Sequence, residues 1–540
     1  MPENTVNPQL YKHSIIWKFP DLTLSMPLPQ TEASQSSNQS AGASRFPSSS
    51  VRWVQRFTLL LLVTAGTLIR LQSLAHKPFW FDETFSVALA RMRWWSLLRL
   101  LAWREANMSL YYLVLRAWMH FGHSEFFIRS LSVVFAAATI PVIYWLASQL
   151  YDRRVALLAA ALLTFNAYQV RYAQEARTYA LFLLLATLSS GFLIAWVREP
   201  SRAHRLGYIL TSILAVYAHF YALLLLGAHA LALYWLGSER SEAEVSSPPS
   251  AEMRRVWKTI GIAVLPLLIF VAKTGAGPIR WIHRPDLHDL LGFAEHLSGG
   301  NNWPLPAIYA AACMVAVATF GRRLKERGQS WEVWRAQFLL LWLLFPIGLT
   351  IVVSIVRPVF LARYLIFCLP ALLILVAAGL ARLRNSWLLA GALAGVLLLA
   401  LPGISFVYDH DLDAERDAAG AATNFILDRA QPGDAIFFHI PQIRMPYEFF
   451  LSLRDGESGP EILYPHYAAS FDYRDFKGKL TGDFIRATAP SHPRVWVMLM
   501  YNGPKLPDPT NVLLTQVLPE SFPKVQRWQF PQVEVRLYSK

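Results

Sequence analysis

The sequence predicts an α-helical polytopic membrane protein with a soluble α/β domain at its C-terminal end, and three observations predict it. Of the 540 residues, 54% are hydrophobic and only 16% charged, whereas soluble proteins are about a quarter charged. Between residues 53 and 408 the apolar residues form runs of the roughly 17 to 25 residues that a helix needs to cross a bilayer. From residue 409 to 540 such runs stop. Lys and Arg total 50 against 36 Asp and Glu, a formal charge of +14. In a soluble protein that excess would point to nucleic acid. A membrane protein carries Lys and Arg in its loops for topological reasons, so no nucleic-acid partner is inferred. The two cysteines, Cys313 and Cys368, lie in apolar runs. A disulfide scaffold, a Cys-type zinc site and a haem-attachment motif are therefore excluded.

Residues 1–52 open the chain as a polar tail rich in Ser, Gln, Asn and Pro, without the apolar core of a signal peptide, and read as a disordered cytoplasmic segment. Residues 53–408 form the membrane domain, with about 11 transmembrane helices expected near 53–75, 129–149, 154–173, 177–197, 205–220, 221–237, 256–274, 303–321, 336–356, 361–381 and 386–407. The fifth and sixth are one apolar block interrupted by His219, read as a hairpin with its tip there. The large first external loop, 76–128, contains SLYYLVLRAWMHFG from Ser109 to Gly122, a helical pattern too short to cross, expected to lie on the membrane surface. With the tail inside, the cytoplasmic loops hold more Lys and Arg than the short external edges, where Arg171, Arg177, Lys273, Arg280, Arg284, Arg357 and Arg363 stand. That favours a cytoplasmic N-terminus. An odd number of crossings then puts the C-terminal domain on the other side.

Residues 409–540 carry alternation in place of long apolar runs. Asp413 to Ala430 has helical character, QPGD turns into the strand-like AIFFHI, VWVMLM from Val495 reads as a second strand, and VEVRLYS closes the chain as a third. An α/β domain follows. It has no glycine-rich phosphate loop, metal-ligand spacing or nucleophile elbow, so a lid or docking role is expected.

An ionisable residue at the centre of a membrane helix costs about 2.5 to 3.5 kcal/mol, so those retained near span ends are informative. The external ends carry Trp80, Asp82 and Glu83; Arg129; Arg171, Gln174, Glu175, Arg177 and Tyr179; His219 and Tyr221; and Arg363 and Tyr364. Carboxylates suited to proton transfer and arginines suited to a phosphate would meet on one face, at headgroup level. Each has a plainer reading. Asp82 can be a helix N-cap, and Arg70, Arg129 and Arg357 can be snorkelling anchors. Gln174, Glu175 and Arg177 can be a polar turn with a Glu–Arg pair, and His219 a satisfied core histidine.

At these residues the chain resembles a known family. WFDETFSVA, then LYYLVLRAW and SEFFIRSLSVVFAAATIPVIYWLASQLYDRRVALLAA, then YQVRYAQEARTYAL are similar to bacterial members of glycosyltransferase family 39, the dolichyl-phosphate-mannose protein mannosyltransferase-like enzymes. The likeness spans roughly residues 55 to 380. It implies the C-type glycosyltransferase fold, a bacterial inner-membrane location, and a sugar donor on a polyprenyl phosphate, used on the extracytoplasmic face. The family's acidic pair matches Asp82 and Glu83, with the aspartate as base; its further site residues match Arg129, Gln174, Glu175, Arg177, Arg363 and Tyr364. The prolines that the family carries before Leu-Tyr-Tyr are replaced by Asn107, Met108 and Ser109. Related lipid A aminoarabinose transferases carry a basic residue where Phe85 and Ser86 stand, which argues against that substrate.

The reaction expected is inverting transfer of a sugar, mannose by family default, to a hydroxyl of a protein, lipid or glycan acceptor. The charge of the leaving phosphate can be met by arginines or by a divalent metal ion. Glu105 and His219 are the candidate metal ligands, although no ligand spacing supports them. A rival reading is a polyprenyl-lipid flippase or transporter without bond chemistry, which predicts internal repeats; none is evident. A third, a sensory protein whose C-terminal domain binds a ligand, leaves the acidic pair without a role.

Overall fold

A computed structural model of the chain describes residues 49–238, 250–274, 282–300, 302–318, 320–327, 330–410, 418–454, 456–468, 470–477, 479–500 and 509–540. The expected polar tail up to residue 48, Arg280 and the expected helix start at Asp413 lie outside the described residues. In chain order the helices are α1 (Ser49–Leu71), α2 (Phe81–Arg91), α3 (Trp94–Trp103), α4 (Ser109–Trp118), α5 (Glu125–Leu150), α6 (Arg153–Thr164), α7 (Ala167–Ala173), α8 (Tyr179–Arg198), α9 (Arg202–Ala218), α10 (Ala222–Ser238) and α11 (Ser250–Thr274). They continue as α12 (Leu287–Ser298), α13 (Pro304–Val317), α14 (Phe320–Arg327), α15 (Trp331–Val356), a 3-10 turn (Ala362–Cys368) leading into α16 (Leu369–Leu380), and α17 (Ser386–Asp409).

Among the described residues, eight segments are long and apolar enough to cross a membrane: 53–71, 125–150, 179–198, 250–273, 304–326, 331–356, 362–380 and 386–409. The chain is thus a multi-pass membrane protein. The remaining three expected spans are helical but shorter. α9 and α10 have 17 residues each, about 26 Å of helix against about 30 Å of hydrocarbon. Between them the chain breaks over His219–Tyr221, the expected hairpin tip.

The third expected span is not continuous: α6 ends at Thr164, and Asn166 caps α7 by accepting from Gln169 N at 3.0 Å. The break leaves carbonyls of α6 without helical partners. Arg70 supplies them. Its Nη1 donates to Thr164 O at 3.1 Å and to Gly66 O at 2.7 Å, its Nη2 to Leu163 O at 3.0 Å and its Nε to Gln169 Oε1 at 2.6 Å. Arg70 is fully buried, which corrects the reading of it as a snorkelling anchor.

α4 forms where the short surface helix is expected; its Ser109, Tyr111, Tyr112 and Leu115 are buried, and Arg116 donates to Ala90 O and Met92 O. In the same loop it is α3 that exposes large aromatics, Trp95 at 74% and Trp103 at 75%.

The C-terminal domain contains α18 (Ala419–Leu427), α19 (Arg444–Leu451), α20 (Gly482–Thr488) and α21 (Pro509–Val517), with strands β1 (Ala435–His439), β2 (Glu461–Tyr464), β3 (Arg494–Met500), β4 (Lys524–Phe530) and β5 (Val533–Ser539). The sheet order is β2-β1-β3-β5-β4, parallel from β2 to β3 and antiparallel from β3 to β4. Alternate residues serve two cores. Ile436, Phe438, Trp496 and Met498 face α18, while Phe437, Val495 and Val497 face α20 and α21. Three strands match the expected ones; β2 and β4 were not expected.

Fully buried Arg444 ties the segment 465–476 onto α19. It donates to Glu448 Oε1 at 2.7 Å, Pro465 O at 2.6 Å and Ala468 O at 2.9 Å, and lies 3.7 Å from Asp475. This strap and α19 reach the first loop. Phe449 stacks on Phe79 at 5.0 Å, Phe476 meets Phe85 edge-on at 6.3 Å, and Ser96 Oγ donates to Asp472 Oδ2 at 2.7 Å. The turn on which the acidic pair sits is thereby packed from the C-terminal side.

Candidate active site

α2 begins immediately after Trp80, and this decides what the acidic pair can do. Trp80 is the N-cap, which corrects the reading of Asp82 as N-cap; Asp82 and Glu83 occupy the second and third helical positions. Both carboxylates thus lie in the first turn of the helix, at its positive end.

The two side chains diverge. Glu83 is buried and bidentate with Arg129, Nε to Oε1 at 2.8 Å and Nη2 to Oε2 at 2.6 Å, and also accepts from Ala176 N at 2.8 Å. Arg129 further donates to Leu74 O at 3.0 Å, Lys77 O at 2.6 Å and Pro78 O at 3.2 Å. A guanidinium has five N–H groups, and these five bonds occupy them all. Asp82 is partly exposed. Its Oδ2 is 3.4 Å from Arg177 Nη2, while Arg177 Nη1 donates to Asp82 O at 3.2 Å and Ser86 Oγ at 3.3 Å.

The turn between α7 and α8 delivers Arg177. Within it Gln174 Nε2 donates to Arg70 O at 3.2 Å and Gln72 O at 2.7 Å, anchoring the turn to the end of α1. The expected Glu–Arg pair involves Arg171, 3.5 Å from Glu175, rather than Arg177. Tyr179 is buried where α8 begins. At the α9–α10 tip, His219 stacks on Phe182 at 5.1 Å and lies 4.6 Å from the Tyr364 ring; Tyr221 Oη donates to Val359 O at 2.5 Å. Arg363 lies 5.9 Å from both the Trp80 and Tyr364 rings and acts electrostatically on Asp82 and Tyr179. The structure therefore brings Trp80, Asp82, Arg177, Tyr179, His219, Tyr221, Arg363 and Tyr364 into one cluster, while Trp80, Glu83, Arg129, Gln174 and Glu175 line a cavity beside it.

Four polar atoms of that cluster share a property. Trp80 Nε1, Arg177 Nε, Tyr179 Oη and His219 Nε2 are buried and have no hydrogen-bond partner among the described residues. His219 Nδ1 accepts from Tyr221 N at 3.2 Å, so the neutral ring carries its proton on Nε2. All four atoms are then donors, and leaving a buried donor unpaired costs about 1 to 3 kcal/mol each. The same tautomer argues against His219 as a metal ligand: an ion at Nε2 would move the proton to Nδ1, against a backbone N–H. The metal-ligand pairing of Glu105 with His219 therefore does not fit the residues present. Among the described residues, only exposed Asp286 and His288 with Asp289 place three ligand atoms within 4.8 Å of one another.

Two partners of the site escaped sequence reasoning. Tyr112, buried on α4, acts on Arg177 and Asp82; the repeated tyrosines of LYYLVLRAW were its only signal. Asn107 Oδ1 accepts from Phe220 N at 3.1 Å, fastening the first loop to the histidine tip where the family carries proline. Met108 starts α4 from φ = 65°. Glu105, half-buried beside Asn107, has its carboxyl pushed up to about 7 by burial, opposed by Arg177 and Arg104 and reinforced by Asp82.

No protein-family model matches the sequence, and no curated protein matches it. Solved structures do. ArnT from Cupriavidus metallidurans in the apo state is similar with a TM-score of 0.59 at 12% identity, over 91% of this chain and 98% of that chain. ArnT from the same organism bound to undecaprenyl phosphate gives 0.55 at 10% identity over the same shares. AglB from Archaeoglobus fulgidus, with an inhibitory peptide and a dolichol-phosphate, gives 0.49 at 9% identity over 82% of this chain and 70% of that chain. Over nine-tenths of its length the chain has the fold of ArnT, which is the C-type glycosyltransferase fold that the motif resemblance implies.

Proposed function

We propose that the chain is a membrane glycosyltransferase that moves a sugar from a polyprenyl-phosphate carrier to an acceptor hydroxyl on the extracytoplasmic face, with Asp82 as general base. The observation that carries this reading is the set of four buried donors without partners, Trp80 Nε1, Arg177 Nε, Tyr179 Oη and His219 Nε2, beside the Asp82 carboxylate and two arginines. Clustered donors without partners suit an anion with several acceptor oxygens, and a phosphate is such a group. The fold likeness to an ArnT structure bound to undecaprenyl phosphate supports a lipid-borne phosphate.

In this reading Asp82 takes the proton of the acceptor hydroxyl as its oxygen bonds to the anomeric carbon. The bond from that carbon to the phosphate oxygen breaks with its electron pair, and polyprenyl phosphate leaves with inversion. Arg177 and Arg363 meet the charge that develops on the phosphate. Arg129 takes no part in this, since its five donors are occupied, and the Glu83–Arg129 pair positions α2. Asp82 Oδ2 lies 3.4 Å from Arg177 Nη2, which holds the carboxylate beside the arginines proposed to meet the phosphate.

Incubation of the purified full chain with a radiolabelled polyprenyl-phosphate sugar tests the proposal. Release of unglycosylated polyprenyl phosphate is expected. Label that crosses a vesicle bilayer with the carrier linkage intact would support the flippase reading instead.

A further inference from the structure

A second cavity lies at the ends of the helices opposite to the acidic pair, lined from α6, α13, α14, α15, α16 and their flanking residues, including Tyr151 just after α5. α5 runs from Arg129 at the first site to Leu150 beside this cavity, about 30 Å of helix at 1.5 Å per residue. That is about one hydrocarbon thickness, so the cavity sits at the headgroup level of the other leaflet.

Its rim is cationic. Arg335 donates from Nη1 to Leu150 O at 2.9 Å and lies 4.2 Å over the Tyr151 ring, which fixes its guanidinium; its buried Nε has no partner among the described residues. Arg382, on the exposed side, donates to Ala316 O at the long distance of 3.4 Å. One carboxylate, Glu332, stands 3.9 Å from Arg335. Below the rim the wall is apolar and small, with Val155, Ala336 and Ala378. Next to the lining residue Ala378, α13 and α16 touch backbone to backbone: a Cβ on Gly379 would lie 2.0 Å from Ala312 O.

We propose that this cavity binds the phosphate of an anionic membrane phospholipid, held by Arg335 and Arg382, with an acyl chain along the apolar wall. Two arginines against one carboxylate select negative charge, and the apolar wall beside them selects a lipid over a free ion. The site is separate from the proposed transfer reaction and does not depend on it.

The test is lipid retention by the purified full chain in neutral detergent, read by native mass spectrometry with phosphatidylglycerol, phosphatidylcholine or inorganic phosphate added. Phosphatidylglycerol should be retained preferentially. Arg335→Gln and Arg382→Gln should each weaken it about fivefold, and Glu332→Gln should tighten it in a variant that keeps both arginines. Arg198→Gln, which alters an exposed arginine at the end of α8 bonded to Gln149 O, should change nothing. Equal retention of phosphatidylcholine, equal weakening by Arg198→Gln, or competition by inorganic phosphate as effective as that of the lipid would each overturn the proposal.

Discussion

Arg129 and Glu83 form a buried pair, yet removing one should cost far more than neutralising the other. Glu83→Gln keeps the shape and one acceptor oxygen, so one of the two charge-assisted bonds from Arg129 is weakened and the other, now facing an amide NH2, is lost. At about 1 to 2 kcal/mol per bond, the loss is about 2 to 4 kcal/mol. Arg129→Met leaves the Glu83 carboxylate buried without its cation, about 3 to 5 kcal/mol. It also removes the donor from Leu74 O, Lys77 O and Pro78 O, about 1 kcal/mol each. The sum of about 6 to 8 kcal/mol is comparable with the whole stability of a typical protein. The assay is the temperature at which half of the monodisperse peak is lost on size-exclusion chromatography after heating in detergent. Unfolding there is irreversible, so the ranking is kinetic. The expected order is wild type, then Glu83→Gln, then Arg129→Met. An Arg129→Met variant as heat-resistant as wild type, or more so than Glu83→Gln, would refute the reasoning that the guanidinium is saturated.

Phe476→Ala removes the strap ring that meets Phe85 one turn from Asp82; transfer should fall roughly tenfold, the scale set by a small misplacement of a reacting group, at an unchanged chromatographic profile. Glu105 ionises as pH rises through about 7, placing a second negative charge near the donors proposed to hold the phosphate. Transfer should therefore decline above that pH, and Glu105→Gln should remove the step from the pH profile. Burial pushes the Asp434 carboxyl up, but bonds from Arg494, Gln431 N and Trp496 Nε1 hold it below the ordinary carboxylate range. The stability it contributes is present above pH 4 and lost as pH falls through its lowered value. Trp fluorescence of the full chain between pH 5 and 2 should show that transition, and Asp434→Asn should flatten it.

Much of the membrane architecture was legible because apolar runs of helical length have few alternatives, and the interruption at His219 marked a hairpin tip. The break after Thr164 was not legible: Asn166 lies inside an apolar run, and the cation that stabilises the break, Arg70, comes from a different helix 94 residues earlier in the chain. In the C-terminal domain AIFFHI and VWVMLM are buried on both faces and declare themselves, whereas KVQRWQF is a largely exposed edge strand whose polar residues conceal it. The acidic pair and its arginines were found, but not which carboxylate goes with which arginine. The partners are 46 and 95 positions apart, and only the path of the chain assigns Arg129 to Glu83 and Arg177 to Asp82.

The central claim is that Asp82 is the base and that the donors around it hold a lipid phosphate. Its most direct test is release of polyprenyl phosphate by Asp82→Asn beside wild type, with the folded fraction matched by size-exclusion chromatography. The account predicts turnover reduced roughly a hundred- to ten-thousand-fold, with donor binding retained because Arg177 and Arg363 remain. Near-normal release by Asp82→Asn would contradict it.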